Sequence, residues 1–200
     1  MNIIETNLKF NQKLSNREQT RYIILHHRAG NGDIMSIHTQ HTNQNFGGVG
    51  YHYYVRKDGS IFRGRPERAI GAHCSNHNSN SVGICFEGNF ETEIMCEDQK
   101  KAGAELVKYL KDIYKSATLV RHKDMKATAC PGKNFPYDEI VSGSLRKKEL
   151  ISANDIIWEL KNGKYKIEIN DVDRAVKHLD EAKNQNTSLY WILYKIVNKE

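Results

Sequence analysis

The chain has 200 residues, of which 38% are hydrophobic and 27% are charged, a composition typical of a folded globular protein and unlike that of disordered or fibrous chains. The mean hydropathy is −0.68, and no uninterrupted apolar run approaches the roughly 18 residues of a membrane helix, which excludes membrane insertion. The net charge of +6 suits an anionic partner such as nucleic acid, a membrane surface or a bacterial wall polymer, but the basic residues are scattered, so charge alone does not choose among them.

Short apolar runs alternate with amphipathic segments along the first two thirds of the chain. Buried strands are expected at residues 21–27, 51–56, 61–63, 81–87 and 118–121. Amphipathic helices are expected at residues 33–45, with Asp33 as the N-cap, and at residues 97–114. Strands that alternate with helices predict an α/β fold with a mixed central β-sheet flanked by helices.

The character of the sequence changes past Tyr137. Residues 142–150 are small, polar and basic, and they predict a linker. The linker would join an α/β domain at residues 1–141 to a small all-helical C-terminal module at residues 151–200.

Cysteine usage and the amino terminus bear on where the chain works. Four cysteines in 200 residues are too few for a disulfide framework. Residues 1–13 contain no apolar signal core and no small-residue cleavage site. We therefore expect a chain made in the cytoplasm without a signal peptide, so that any action outside the cell needs a separate route of release.

Histidines stand where two of the predicted strands end. His26 and His27 close the first strand, and His122 follows the strand at residues 118–121. Cys130 lies in ATACPG, where proline and glycine force a turn. Two imidazoles and a thiolate would leave the fourth corner of a zinc tetrahedron open for water. Each of these residues alone is more often structural, and spacing does not distinguish His26 from His27.

Four segments carry a more specific signal. They are IILHH ending at His27, GYHYYVRKDGSIFRGR beginning at Gly50, GAHCSNHNSNSVGI beginning at Gly71, and RHKDMKATACPG ending at Gly132. In this order they resemble the zinc-dependent N-acetylmuramoyl-L-alanine amidases, a superfamily that includes amidase-type phage lysozymes and animal peptidoglycan recognition proteins. The resemblance covers about residues 21–136.

The resemblance implies a Zn²⁺ cofactor and roles for residues near it. His26, His122 and Cys130 correspond to the family's zinc ligands. Tyr51 would stand near the metal-bound water, and Thr128 would help to stabilise the transition state.

The resemblance also implies residues that bind substrate. His73 and Asn78 lie in the loop that faces the family's substrate groove. Asn45 and Phe46 resemble the pair that accompanies lysine-type stem peptides in the recognition proteins.

The chain departs from some related amidases in one respect. Those enzymes place a catalytic glutamate where this chain has Cys85, and Glu87 comes two residues later. With Glu87 outside the catalytic set, Tyr51 or the zinc-bound hydroxide would have to act as the general base.

The implied activity is hydrolysis of the amide bond between N-acetylmuramic acid and L-alanine by a zinc-activated water. We expect a phage or prophage endolysin that acts on the cell wall after release, with an autolysin or a sporulation enzyme as the alternative. The implied partner is bacterial peptidoglycan, with no nucleic acid and no membrane insertion, and the C-terminal module is expected to contact wall polymers. Two rival hypotheses remain open: a binding protein with a structural zinc, and a cysteine hydrolase in which Cys130 acts with His122.

Overall fold

The computed structural model describes residues 1–143. The predicted helical module at residues 151–200 lies outside the described residues, as does all but the start of the predicted linker at 142–150. Across residues 1–143, no helix combines the length and the apolar character that crossing a membrane requires.

Within this part of the chain, six strands form one sheet. Their bounds are β1 (Ile3–Ile4), β2 (Tyr22–His27), β3 (Tyr53–Val55), β4 (Ile61–Arg63), β5 (Ser81–Phe86) and β6 (Thr118–Arg121). The order in the sheet is β1-β4-β3-β5-β2-β6; β3 and β4 are antiparallel, and the other neighbouring pairs are parallel. The helices are α1 (Ile34–Asn43), α2 (Glu97–Ile113), α3 (His122–Met125) and α4 (Tyr137–Ser142). The mixed sheet flanked by helices confirms the predicted fold class for the described residues.

The central strands are buried on both faces, as expected for parallel strands with continuous apolar runs. The buried side chains of one face pack with α2 and include Ile23, Leu25, Ile84, Phe86, Leu106 and Leu110. Those of the other face pack with α1 and include Ile34, Ile37, Val49, Tyr54 and Cys85. Because side chains alternate along a strand, His26 lies on the α1 face and His27 on the α2 face.

The helix boundaries follow the capping chemistry. Asp33 caps α1 as predicted, since its side chain accepts a hydrogen bond from the Ser36 amide at 2.7 Å. The helix ends at Asn43, earlier than the predicted residue 45, and Asn45 adopts the left-handed conformation with φ 61°. Helix α2 begins at Glu97 as predicted.

Besides a short 3-10 helix at Asn78–Asn80, three elements were not predicted: β1, α3 and α4. They contain two, four and six residues, too few for an apolar period to be recognised. Helix α4 runs to Ser142, the first residue of the predicted linker, and ends where Gly143 adopts φ 62°. The expected strand at 51–56 is also shorter, because Tyr51 lies in the loop before β3.

Candidate active site

The site is built where two adjacent parallel strands end. β2 pairs with β6, with Leu25 opposite Arg121, so that the next residues, His26 within β2 and His122 just after β6, lie side by side at the same edge of the sheet. The two imidazole rings have centroids 4.4 Å apart. The carboxyl ends of parallel strands are a common place for functional side chains, because loops meet there on a rigid support.

The sulfur of Cys130 completes a cluster with these two rings. One nitrogen of His26, one nitrogen of His122 and the Cys130 Sγ all lie within 4.8 Å of one another. The Sγ lies 3.8 Å from His26 Nδ1 and accepts a hydrogen bond from the His27 amide at 3.4 Å. A further backbone bond, from the Lys123 amide to the Cys130 carbonyl at 2.8 Å, ties this loop to α3.

His27 takes no part in this cluster. Its ring lies on the opposite face of the sheet, where Nδ1 accepts a hydrogen bond from the Phe90 amide at 3.2 Å. The alternation of side chains along β2 therefore separates the two neighbouring histidines that spacing alone could not distinguish.

The electrostatics of the cluster suit a metal ion. Burial lowers the pKa of His26 well below its usual value, with His122 and His27 acting in the same direction, and burial also lowers the pKa of His122. Both rings are therefore neutral at pH 7 and have a free lone pair. Burial raises the pKa of the Cys130 thiol to about 11, so a thiolate there needs a cation beside it.

The donor set also fits zinc in type and spacing. Neutral imidazole nitrogen and cysteine sulfur are the ligands that zinc prefers. In a tetrahedral site a zinc-bound nitrogen and sulfur stand about 3.6 Å apart. The distance of 3.8 Å between His26 Nδ1 and Cys130 Sγ is close to that value.

Tyr51 packs beside the cluster. Its ring centroid lies 5.2 Å from that of His26 and 5.4 Å from that of His41. Burial raises the pKa of the Tyr51 phenol well above its usual value, and the thiols of Cys85 and Cys130 raise it further. The phenol is therefore protonated at neutral pH, which makes it a hydrogen-bond donor and unsuited to be a general base.

The glycine turn before Tyr51 is held by two histidines of α1. The Val49 amide donates to His38 Nδ1 at 3.2 Å, and the Gly50 amide donates to His41 Nδ1 at 2.9 Å. A Cβ atom at Gly50 would lie 2.0 Å from the Ala72 carbonyl oxygen, so the crossing of the two loops leaves room only for glycine.

Thr128 lies in the exposed loop that carries Cys130. Its Oγ1 accepts a hydrogen bond from the Cys130 amide at 3.2 Å. Since a hydroxyl has one hydrogen and this contact uses only a lone pair, the Thr128 hydroxyl can still donate to another group.

His73 and Asn78 are brought near the cluster but engage protein groups. His73 Nδ1 lies 3.0 Å from His26 Nε2. Asn78 Oδ1 accepts hydrogen bonds from the amides of His73 and Cys74, both at 2.8 Å. Contact of these two side chains with substrate stays a prediction.

Asn45 and Phe46 form the turn that follows α1. Phe46 is 41% exposed, and its ring meets His41 edge-on with centroids 5.4 Å apart. Because His41 contacts Tyr51 and Tyr51 contacts His26, two side chains separate Phe46 from the cluster. A role in choosing the stem peptide likewise stays a prediction.

Residues 16–133 match the protein family described as N-acetylmuramoyl-L-alanine amidase. The chain belongs to this family. It is 32% identical over 128 residues to an endolysin of Klebsiella phage KP32, an alignment that covers 60% of the chain and 85% of the endolysin. It is 30% identical over 132 residues to peptidoglycan-recognition protein SC2 of Drosophila melanogaster, covering 60% of the chain and 71% of that protein.

A solved structure with a similar fold is the N-acetylmuramoyl-L-alanine amidase LysC from Clostridium intestinale URNW. The two chains share 39% sequence identity with a TM-score of 0.70, and the match covers 72% of this chain and 97% of LysC. These likenesses confirm the family and the class of enzyme that the four sequence segments predict.

His41 was not singled out from the sequence as part of this candidate site. His41 supports the turn before Tyr51, and its place on the inward stripe of α1 with Ile34 and Ile37 was the available signal. Cys85 lies on the same face of the sheet as His26, and its thiol helps to raise the pKa of the Tyr51 phenol.

Glu87 is buried and engaged by structural groups. Its Oε1 accepts from the Gly32 amide at 3.2 Å, and its Oε2 accepts from the Lys57 amide at 3.1 Å and from Arg56 Nε at 3.3 Å. Each of these donors belongs to the loops around the sheet edge, which gives the carboxylate a role in holding them.

Proposed function

We propose that the chain is a zinc-dependent enzyme that hydrolyses the amide bond between N-acetylmuramic acid and L-alanine of the peptidoglycan stem peptide. The observation that carries this proposal is the convergence of His26, His122 and Cys130, whose donor atoms all lie within 4.8 Å of one another. Membership of the amidase family and the endolysin relative support the same substrate class.

The chemistry follows from the difficulty of cleaving an amide, which has a weakly electrophilic carbonyl and a poor leaving group. When bound, zinc would supply Lewis acidity and the activation of water at neutral pH. His26 and His122 would hold the ion through neutral imidazoles, and Cys130 through its thiolate. A thiolate donates more charge than a third imidazole, which increases the importance of neighbouring hydrogen-bond donors.

We propose Tyr51 and Thr128 as the hydrogen-bond donors. The tetrahedral intermediate of amide hydrolysis carries an oxyanion, and a donor aimed at it lowers the barrier. The Tyr51 phenol keeps its proton because burial raises its pKa. The Thr128 hydroxyl lies two residues from Cys130 on the exposed side of the site. We assign the stabilisation of the oxyanion to these two groups.

The test combines metal analysis with mass spectrometry of purified wall digested by the full chain. We expect about one zinc per chain, loss of activity with a chelator, and new amino termini on the digested wall without new reducing sugars. New reducing ends would indicate a glycosidase and overturn the proposal. Tight binding of wall fragments without any release would indicate a binding protein.

Two adjacent histidines provide a matched pair of variants. His26→Gln removes a ligand and should abolish both zinc content and turnover. His27→Asn keeps an acceptor oxygen near the position of Nδ1 for the Phe90 amide, so zinc content and turnover should survive. Equal loss in both variants would mean that general unfolding, and not the cluster, explains the effect.

We also propose that the enzyme acts as a phage or prophage endolysin, released from the cytoplasm to degrade the wall. The likeness to an endolysin of Klebsiella phage KP32 supports this role. Co-expression of the chain with a protein that permeabilises the inner membrane should lyse the host culture, whereas expression of the chain alone should not. Lysis by the chain alone would contradict the need for a separate route of release.

A further inference from the structure

We propose that His73 is a positioning residue that fixes the tautomer of the metal ligand His26 through a hydrogen-bonded chain that begins at Ser81. The proposal rests on the zinc-dependent function proposed above and assigns a task to a side chain that the resemblance places in the substrate loop. All three side chains are buried, with Ser81 0%, His26 1% and His73 9% exposed.

The donor and the acceptor of each hydrogen bond in this series can be assigned, starting from Ser81. The Ser81 hydroxyl donates its only hydrogen to the His77 carbonyl oxygen at 2.6 Å. The Ser81 oxygen can then only accept from His73 Nε2, which lies 3.4 Å away. His73 therefore carries its hydrogen on Nε2 and presents a lone pair on Nδ1.

The same reasoning passes from His73 to the metal ligand. His73 Nδ1 lies 3.0 Å from His26 Nε2, and a lone pair there requires a hydrogen on the His26 nitrogen. The free lone pair of His26 is then on Nδ1, the nitrogen that lies 3.8 Å from Cys130 Sγ. The serine thus determines, through the imidazole of His73, which nitrogen of His26 has the free lone pair that can bind a cation.

The His73 ring is closely packed against neighbouring residues, which restricts its orientation. A Cβ atom at Gly83 would lie 2.6 Å from ring atoms of His73, and one at Gly71 would lie 2.5 Å from its Cδ2. The His52 ring meets it edge-on with centroids 5.5 Å apart. The absence of side chains at both glycines makes room for an imidazole in this orientation, and Asn78 fixes the backbone amide of His73.

Both nitrogens of His73 are therefore used inside the protein. The ring is 9% exposed, with one nitrogen beside Ser81 and the other beside His26, so the predicted contact with substrate would require one of these two hydrogen bonds to break. Partners that orient a metal-bound histidine in this way raise metal affinity, and their loss costs about 10–100-fold.

Three variants of the full-length enzyme test the proposal by zinc affinity, measured in competition with a chelating dye. His73→Phe keeps a ring but removes the acceptor, and we expect zinc affinity to fall by about 10–100-fold. His73→Asn places an oxygen near the position of Nδ1 and should recover most of the loss. Ser81→Ala removes the acceptor for His73 Nε2 and should weaken zinc binding by less than His73→Phe does.

A second measurement does not depend on any variant. Long-range ¹H–¹⁵N NMR of the full-length wild-type chain in chelator should show His26 protonated on Nε2 and not on Nδ1. Protonation of His26 on Nδ1, or wild-type zinc affinity in folded His73→Phe, would overturn the proposal. If His73→Phe does not fold, the NMR result and the zinc affinity of Ser81→Ala still test the proposal. An unchanged zinc affinity in Ser81→Ala, together with a mixture of His26 tautomers in the wild type, would also refute it.

These outcomes are separate from a failure of the proposed function. A wild-type chain that binds no zinc or releases no stem peptide would refute the amidase mechanism itself. A wild-type chain that does both, with His73→Phe indistinguishable from it, would refute only the positioning role of His73.

Discussion

The Nδ1 atom of His26 lies 3.8 Å from the Sγ atom of Cys130, although 104 positions separate the two residues in the chain. The end of a central strand fixes the histidine, and backbone bonds fix the loop that carries the cysteine. The His27 amide, on the same strand, donates to the same sulfur at 3.4 Å. The strand therefore supplies both a proposed zinc ligand and a contact that holds the sulfur beside it.

Replacing the sulfur of Cys130 distinguishes the hypothesis of a zinc enzyme from that of a cysteine hydrolase. Cys130→Ser keeps the size of the side chain but provides a poor zinc ligand, so we expect zinc loss together with a fall in kcat/KM of about 10³-fold, since metal Lewis acidity contributes several kcal/mol. Metal analysis and wall-digestion rates measure the two effects. In the wild type a chelator should stop turnover, and added zinc should restore it.

The exposed Cys96 gives the control for thiol chemistry. Its Sγ donates to the Lys57 carbonyl at 2.8 Å, a bond that a serine hydroxyl can also make. Cys96→Ser should leave zinc content and turnover as in the wild type. Turnover that survives a chelator but is lost on alkylation of Cys130 would favour the cysteine hydrolase instead.

Removing the phenol of Tyr51 tests its role as a donor. In Tyr51→Phe we expect kcat to fall by about 10²–10³-fold, the cost of losing one oxyanion donor, because the phenol is protonated and can donate at neutral pH. Zinc content should not change. Steady-state kinetics on a soluble muramyl peptide would separate kcat from KM, and unchanged kcat would exclude the assigned role.

Tyr54→Phe is the matched control for this substitution. Tyr54 packs on the same face of the sheet, but its hydroxyl donates to the Gly32 carbonyl at 2.6 Å. Its loss should lower the free energy of unfolding by about 0.5–1.5 kcal/mol and leave kcat unchanged.

Substitution of Glu87 tests whether its carboxylate acts as the general base. Glu87→Gln turns one acceptor oxygen into an NH₂ group that faces the amide donors of Gly32 or Lys57. We expect the free energy of unfolding, measured in urea, to fall by about 1–3 kcal/mol, while kcat below the unfolding transition stays close to that of the wild type. A collapse of kcat in the folded variant would instead make Glu87 catalytic.

The ends of the parallel strands are the part of the site that the sequence predicts well. Apolar runs locate β2 and β6 and place a histidine at the end of each, whereas the parallel pairing that brings His26 and His122 together is known only from the structure. The choice of His26 over His27 needs the resemblance or the structure. It depends on which face of the sheet α1 covers, and no local pattern contains that information.

The contacts that hold the site residues in place are the part that the sequence does not predict. The contact of His73 with His26 joins a loop to a strand through the packing of Gly71 and Gly83, and packing between distant segments leaves no periodic signal. Strand β1, with two residues, and helix α4, with six, are too short for pattern recognition, because their stability comes from tertiary contacts.

The buried His41 predicts how stability depends on pH. Its Nδ1 accepts from the Gly50 amide at 2.9 Å, and burial lowers its pKa to about 4, with Arg28 and Arg65 acting in the same direction. In the unfolded chain a histidine titrates near 6.5. The contribution of neutral His41 to the free energy of unfolding is therefore fully present above about pH 6.5. It is lost as the pH falls toward 4, by at most about 3 kcal/mol, because the unfolded state binds the proton first.

The variant His41→Asn tests this dependence, because asparagine does not titrate and retains an acceptor for the Gly50 amide. Its free energy of unfolding, measured in urea and chelator, should fall less steeply with acid than that of the wild type. Other histidines whose pKa is lowered, such as His26, His52 and His122, contribute to both curves. Parallel curves would show that His41 is not the group that is coupled to folding.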